Sequence, residues 1–371
     1  MQSRLDEAAV LDALRPIVDP DFQKSIVDLG FVKDLRIEAG RVEFAIELTT
    51  PACPVKAEFE KAARDRVAAL PGVLSVDVRM TSNTRGHRST PPSTDAAVLP
   101  GVRNTIAVAS GKGGVGKSTV AVNLALALRQ SGARVGLMDA DVYGPSLPLL
   151  TGVSGRPHSE NKRIFPNEGH GLKLMSMGFF LGQDSPVIWR GPMVHGLIRQ
   201  FLTDVEWGEL DYLVVDMPPG TGDAALTLTQ MAPLSGAVIV TTANDLSLID
   251  ARKGLAMFQK VSVPVLGIVE NMSYFTPPDL PDRRYHIFGE GGGKRVAAEI
   301  GVDFLGELPI EPRIVEGGDR GLPIVAGVPD SEAARIFRDL AGRIARKLSV
   351  LAEGMPPIAD ANITWVSEPG P

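Results

Sequence analysis

The chain reads as an α/β protein: a mostly parallel, doubly wound sheet with a smaller α/β domain in front of it. Three observations predict this. From Val102 onward, short apolar runs alternate with helical patterns, as buried parallel strands and their crossover helices do. A glycine-rich octet, 111–118, stands between the first of those strands and the first of those helices. Between Thr81 and Pro100 periodicity gives way to Ser, Thr, Pro and Gly, the composition of an exposed linker.

In chain order, residues 1–80 predict a compact unit: a helix over 5–14, strands over 32–37 and 42–48, a helix over 55–70 and a strand over 73–80. A flexible linker is expected over 81–101. The large domain, 102–352, has predicted strands over 105–109, 134–138, 212–215, 237–240, 263–269 and 303–305. Its last helix, 331–351, is expected to pack across the sheet, and the tail 353–371 to be flexible. There is no internal repeat.

Composition narrows the function. A chain of 371 residues with 44% hydrophobic content has room for one large and one small domain. A net charge of −6 without a dense basic run argues against nucleic acid as the main partner. No stretch is apolar for long enough to span a bilayer, and Met1 to Val10 holds three charges and no apolar signal region, so no membrane partner and a cytoplasmic site of action are expected. One cysteine, Cys53, excludes an intrachain disulfide and any site built from several thiolates of one chain.

The octet Gly111-Lys112-Gly113-Gly114-Val115-Gly116-Lys117-Ser118 has the spacing G-x-x-x-x-G-K-[ST]. Its glycines let backbone N–H groups turn inward onto phosphate oxygens, Lys117 reaches the outer phosphates, and the Ser118 hydroxyl stands where Mg²⁺ needs a ligand. The following helix, predicted over 119–129 and opened by Thr119, turns its N-terminus to the phosphates. The expected cofactors are ATP and Mg²⁺. The strand ending at Asp139-Ala140-Asp141 delivers two carboxylates to the sheet edge where ligands bind. Tyr212-Leu213-Val214-Val215-Asp216 is an apolar strand ending in Asp, the pattern of a carboxylate that holds Mg²⁺ through water. The adjoining turn 218–223 is a candidate to change path with the γ-phosphate.

These segments, together with Val142-Tyr143-Gly144-Pro145-Ser146, Met217-Pro218-Pro219-Gly220-Thr221-Gly222-Asp223, Gly267-Ile268-Val269-Glu270-Asn271-Met272-Ser273-Tyr274 and Ile287-Phe288-Gly289-Glu290-Gly291-Gly292-Gly293, resemble the Mrp/ApbC family. These are iron–sulfur cluster carrier ATPases of the MinD/ParA-like class; residues 1–80 resemble the PaaD-like assembly domain often fused ahead of them. The resemblance implies a homodimer with slow ATPase activity and apo iron–sulfur client proteins or assembly factors as partners. It implies that Lys112 contacts the nucleotide of the partner subunit, the alternative being a solvated surface lysine. Asp141 would position the attacking water, Asp139 and Asp216 would serve the Mg²⁺ site, and Asn271 would read the adenine edge.

The chain departs from that family in one place. Family carriers hold a cluster with a C-x-x-C after the Ser-Tyr-Phe, and here Pro277 and Leu280 stand at those positions. Asp279, Asp282 and His286 nearby are polar but scattered. Cys53 is the remaining thiol and a candidate iron–sulfur ligand. Pro54 is expected in the first turn of the next helix and Lys56 nearby, a setting that favours thiolate; the plain alternative is a small buried apolar residue. Three functions are therefore open: a cluster carrier or assembly factor, a metal-free nucleotide-gated dimeric switch or scaffold, and a MinD/ParA-type positioning ATPase. The last needs a basic membrane helix or DNA-facing surface, which the C-terminal residues do not supply.

Overall fold

The computed structural model describes residues 5–86, 98–181 and 191–354. In the small domain, helix α1 (Glu7–Leu14) precedes a two-stranded ribbon, β1 (Val18–Asp19) with β2 (Lys24–Ser25). A three-stranded sheet follows, in which β4 (Arg41–Leu48) lies between antiparallel β3 (Val32–Glu38) and parallel β5 (Ser75–Ser82), with α2 (Lys56–Ala68) as the crossover. Alternation in β4 turns Val42, Phe44, Ile46 and Leu48 into one apolar core with Val10, Leu14, Phe59 and Val67 of the helices. The strand expected over 73–80 sits two residues later. Thr81 and Ser82, expected in the linker, pair with Glu47 and Leu48, and Arg103 and Asn104 hold the next residues through Asn83, Thr84 and Arg85. The middle of that linker, 87–97, and the tail from 355 lie outside the described residues.

The large domain is an eight-stranded sheet. Its strands are β6 (Val102–Ser110), β7 (Val135–Asp139), β10 (Asn167–Gly169), β11 (Leu172–Ser176), β12 (Leu210–Asp216), β13 (Gly236–Thr241), β14 (Val265–Glu270) and β15 (Phe304–Glu307), and the short hairpin of β8 (Ser159–Glu160) and β9 (Arg163–Ile164) stands beside it. The order across the sheet is β10-β11-β7-β12-β6-β13-β14-β15, parallel throughout except for β10 at the edge. The edge pair β10 and β11 was not predicted, because short segments with mixed polarity carry little periodic signal. Every residue of β12 and β13 is buried, as expected of strands covered on both faces.

One face is covered by α3 (Lys117–Gln130), α4 (Leu147–Thr151) and the C-terminal helices α9 (Pro312–Asp319), α10 (Ile324–Gly327) and α11 (Glu332–Ala352). The other is covered by α5 (Gly191–Thr203), α6 (Asp223–Met231), α7 (Asp245–Lys260) and α8 (Gly292–Ile300). Helix α11 begins at Ser331, whose Oγ accepts from Ala334 N, and buries Ala334, Phe337, Ala341, Ile344, Ala345 and Leu348 at helical spacing. Its buried stripe rests on α3 and also meets β14 and β15, so the helix packs against that end of the sheet as expected. The carboxyl ends of β6, β7, β12 and β14 deliver Ser110, Asp139, Asp216 and Glu270 to a single edge of the sheet.

Candidate functional site

At that edge the octet leaves β6 and enters α3. Gly116, at φ +81°, is the left-handed residue before the helix; a side chain there would meet Asn271 Nδ2. Ser110 Oγ donates to the Lys112 carbonyl (2.9 Å), and Gly220 N donates to the Ser110 carbonyl (3.0 Å), fixing the loop against the turn that follows β12. A cavity of about 270 Å³ opens above, lined by six residues of the octet, among them Gly113, Gly114 and Gly116, with Thr119, Asp141, Ser146 and Pro219. The amide cradle, a buried lysine and a hydroxyl at the mouth suit a triphosphate with its magnesium.

Lys117 points down, not out. Its Nζ lies 2.5 Å from Asp216 Oδ1 and 3.3 Å from Ser118 Oγ, and the Lys117 and Asp216 side chains are only 7% and 5% exposed. A triphosphate seated in the cavity would compete with Asp216 for that ammonium. Lys112 borders the same cavity, half-buried, and its ammonium has no ion-pair partner among the described residues.

Asp139, expected to serve the Mg²⁺ site, is not among the residues that line the cavity. It is 1% exposed, and both its oxygens are engaged: Oδ1 accepts from Asp141 N (3.0 Å), and Oδ2 accepts from Ser176 Oγ (2.9 Å), Ser146 N (3.1 Å) and Leu147 N (3.3 Å). Those bonds make it the organiser of the loop 140–147 rather than a ligand facing the cavity. Burial, and then the neighbouring Asp216 carboxylate, push its carboxyl up to about 7. Asp141 does reach the cavity; its Oδ1 accepts from Gly144 N (3.3 Å), and burial raises its carboxyl against the pull of Lys117.

Asn271 sits beside the octet, with Nδ2 donating to the Val115 carbonyl at 2.8 Å. The amide expected at the adenine edge is thus tied to the P-loop backbone here. Glu270, its neighbour, has a role that the motif alone does not assign. This carboxylate is fully buried, accepts from Ser273 Oγ (2.7 Å) and from Gly293 N (2.6 Å) in the first turn of α8, and so fixes the strand end from which Asn271 reaches across. The available signal was the one used for Asp216, an apolar strand ending in a carboxylate.

Cys53 stands apart from this site, and its expected setting is not found. Helix α2 opens at Lys56 with Val55 as cap, which leaves Pro54 and Cys53 outside the first turn. Burial pushes the thiol up to about 11, and the Val55 amide and Arg346 offset only part of that. Around 276–286, Phe275 and Tyr285 bridge antiparallel, Arg284 lies over the Tyr274 ring, and His286 Nδ1 is 3.0 Å from the Ser273 carbonyl. No group of three metal-capable side chains occurs among the described residues. Trp189 lies outside them, and His195 faces Thr227 of α6 at 2.8 Å.

Comparison with known proteins adds to the geometry. Residues 101–345 match the family described as NUBPL iron-transfer P-loop NTPases, and residues 7–78 match the family of iron–sulfur cluster assembly proteins. An iron–sulfur cluster carrier protein of Synechocystis is 53% identical over 349 residues, covering 93% of this chain and 98% of that protein. The chloroplastic Fe-S cluster assembly factor HCF101 of Arabidopsis thaliana is 51% identical over 347 residues; the match covers 91% of this chain and 63% of the plant protein. Among solved structures, a nucleotide-binding protein of Archaeoglobus fulgidus in complex with ADP, in which Co was found, is 41% identical with a TM-score of 0.54, covering 60% of this chain and 88% of that one. No described helix is long and apolar enough to cross a membrane.

Proposed function

The chain belongs to the family of NUBPL-type iron-transfer P-loop NTPases, with an iron–sulfur cluster assembly domain ahead of the NTPase domain, and we propose that it binds and hydrolyses ATP to carry iron–sulfur clusters to apoproteins. The observation that carries the nucleotide half of this reading is the buried Lys117–Asp216 pair beneath an amide-lined cavity. A lysine neutralised by an internal carboxylate is held ready to change partners when phosphate oxygens arrive. Ser118 and Asp216 are the residues that would hold Mg²⁺, which neutralises phosphate charge when bound. Asp141, on the cavity wall, would orient water. Lys112, at the mouth and without an ion-pair partner among the described residues, fits the role of a cation offered to the nucleotide of a second copy in a homodimer.

The cluster is cargo, and the chain brings one thiol to it. Two copies supply at most two Cys53 ligands, so the others come from a client protein or small thiols, which favours brief transfer over storage. A second reading, a metal-free nucleotide-gated switch, is favoured by the same lone cysteine and by Pro277 and Leu280 where the family places cysteines. Anaerobic reconstitution with iron and sulfide separates the two. A stoichiometric visible chromophore that disappears in Cys53→Ala supports the carrier; a colourless protein that still hydrolyses ATP supports the switch.

A further inference from the structure

Residues 49–54, which join β4 to α2, carry the one cysteine of the chain and are pressed onto the large domain. Thr50 Oγ1 and the buried Tyr212 hydroxyl of β12 are 2.8 Å apart, and the same Oγ1 accepts from Ala52 N (3.1 Å). Ala52 belongs to the apolar core formed by α3 and α11. Gly342, midway along α11, lies so near that a Cβ there would stand 3.3 Å from the Ala52 carbonyl oxygen and 3.6 Å from Pro54 Cδ. One turn later Arg346 clamps Asp21, its Nε 2.8 and 2.7 Å from the two carboxylate oxygens. Val350, one more turn along, packs against the small-domain core.

Positions 342, 346 and 350 form one stripe of α11, spaced i, i+4, i+8. A glycine in the interior of a 21-residue helix weakens it, and Gly342 has no positive φ that would require one. Close approach of the small domain is the remaining use for the missing Cβ. The Arg346 and Asp21 side chains are 33% and 16% exposed, so their bidentate pair is partly withdrawn from water, where such pairs hold best. Cys53 stands between Ala52 and Pro54, the two residues nearest Gly342; it is half-buried and, like Val350, packs against the small-domain core, with the charges of Asp19, Asp21 and Arg346 acting on it.

We propose that the stripe is an autoinhibitory latch: the Asp21–Arg346 pair and the Thr50–Tyr212 bond, closing over the Gly342 notch, hold the small domain down on α11 and keep Cys53 covered until that domain lifts. The latch deepens the carrier reading by setting when the thiol can meet a cluster or a client, and it rests on that reading only for its purpose.

Because the full-length chain has a single cysteine, the rate of iodoacetamide labelling, followed by mass spectrometry at one pH, reports residue 53 alone. Arg346→Gln opens the clamp and Gly342→Leu wedges the notch; each is expected to label about tenfold faster than wild type, the population shift that loss of one such contact gives. Losing the Arg346 charge with the latch still shut would leave Cys53 facing Asp19 and Asp21 and slow its labelling, so acceleration reports opening. Circular dichroism and Mg-ATP affinity, unchanged in both variants, show that the fold persists; should Gly342→Leu misfold, Arg346→Gln decides alone. Labelling at or below the wild-type rate in the folded variants overturns the latch, as does a wild type that reacts as fast as a small free thiol. A failed cluster reconstitution leaves these rates untouched, so the two readings fail separately.

Discussion

Replacing Lys117 with alanine removes one member of a buried ion pair and leaves the Asp216 carboxylate beneath the P-loop with Asp139 beside it. Breaking such a pair from one side costs about 3–5 kcal/mol, because the abandoned charge has neither water nor partner. One of the two carboxyls can take a proton, so the low end, about 3 kcal/mol, applies to the nucleotide-free protein. For a domain of this size that lowers the melting temperature by about 6–12 °C. The deficit also depends on pH. Asp139 has a folded pKa of about 7, above the ordinary carboxyl range, so its contribution to stability is full in acid and is lost as pH rises through about 7. Lys117 is one of the groups that hold this carboxyl down. Its loss therefore costs more at pH 8 than at pH 5.5. Calorimetric melts at the two pH values, with and without Mg-ATP, measure both effects: wild type should gain stability from nucleotide by mass action and the variant should not. A nucleotide-free variant melting within about 2 °C of wild type at pH 8 would refute the assignment of a buried, mutually dependent pair.

Asn271→Ala removes the tether to the Val115 carbonyl, and ADP affinity measured by titration calorimetry should fall by about fivefold, the worth of one buried neutral hydrogen bond. Lys112→Ala should leave ATP binding within about twofold of wild type and reduce phosphate release by about tenfold or more, as loss of a trans-acting cation does; mixing it with Asp141→Ala chains should recover part of the turnover, and no recovery would place the lysine in cis. Thr50→Val strands the buried Tyr212 hydroxyl and should cost about 1–3 kcal/mol in urea melts, whereas Tyr212→Phe should cost about 0.5–1.5 kcal/mol, since the group it leaves, Thr50 Oγ1, still accepts from Ala52 N.

What the sequence determined by itself is what short-range pattern can encode. The octet 111–118 places its lysine and serine by spacing alone, and the apolar runs of β6, β12 and β13 announce burial on both faces because parallel strands leave no polar side. The edge strand β10 and its neighbour β11 escaped because nothing periodic marks three to five residues of mixed polarity. The start of α2 was misplaced because Pro54 reads equally well just before a helix or in its first turn, and the thiolate expected of Cys53 went with it. Only the tertiary structure decided which partners the polar groups take. Lys117 meets Asp216 across 99 positions, Asn271 meets Val115 across 156, and Arg346 meets Asp21 across 325. Asp139 and Asp141 stand two residues apart at the end of one strand, yet one is consumed by three amides of the loop and the Ser176 hydroxyl of β11, and the other opens onto the cavity. Spacing brings a carboxylate to the sheet edge, but whether it faces ligand or backbone depends on the path of the next loop, which the packing of the whole domain fixes.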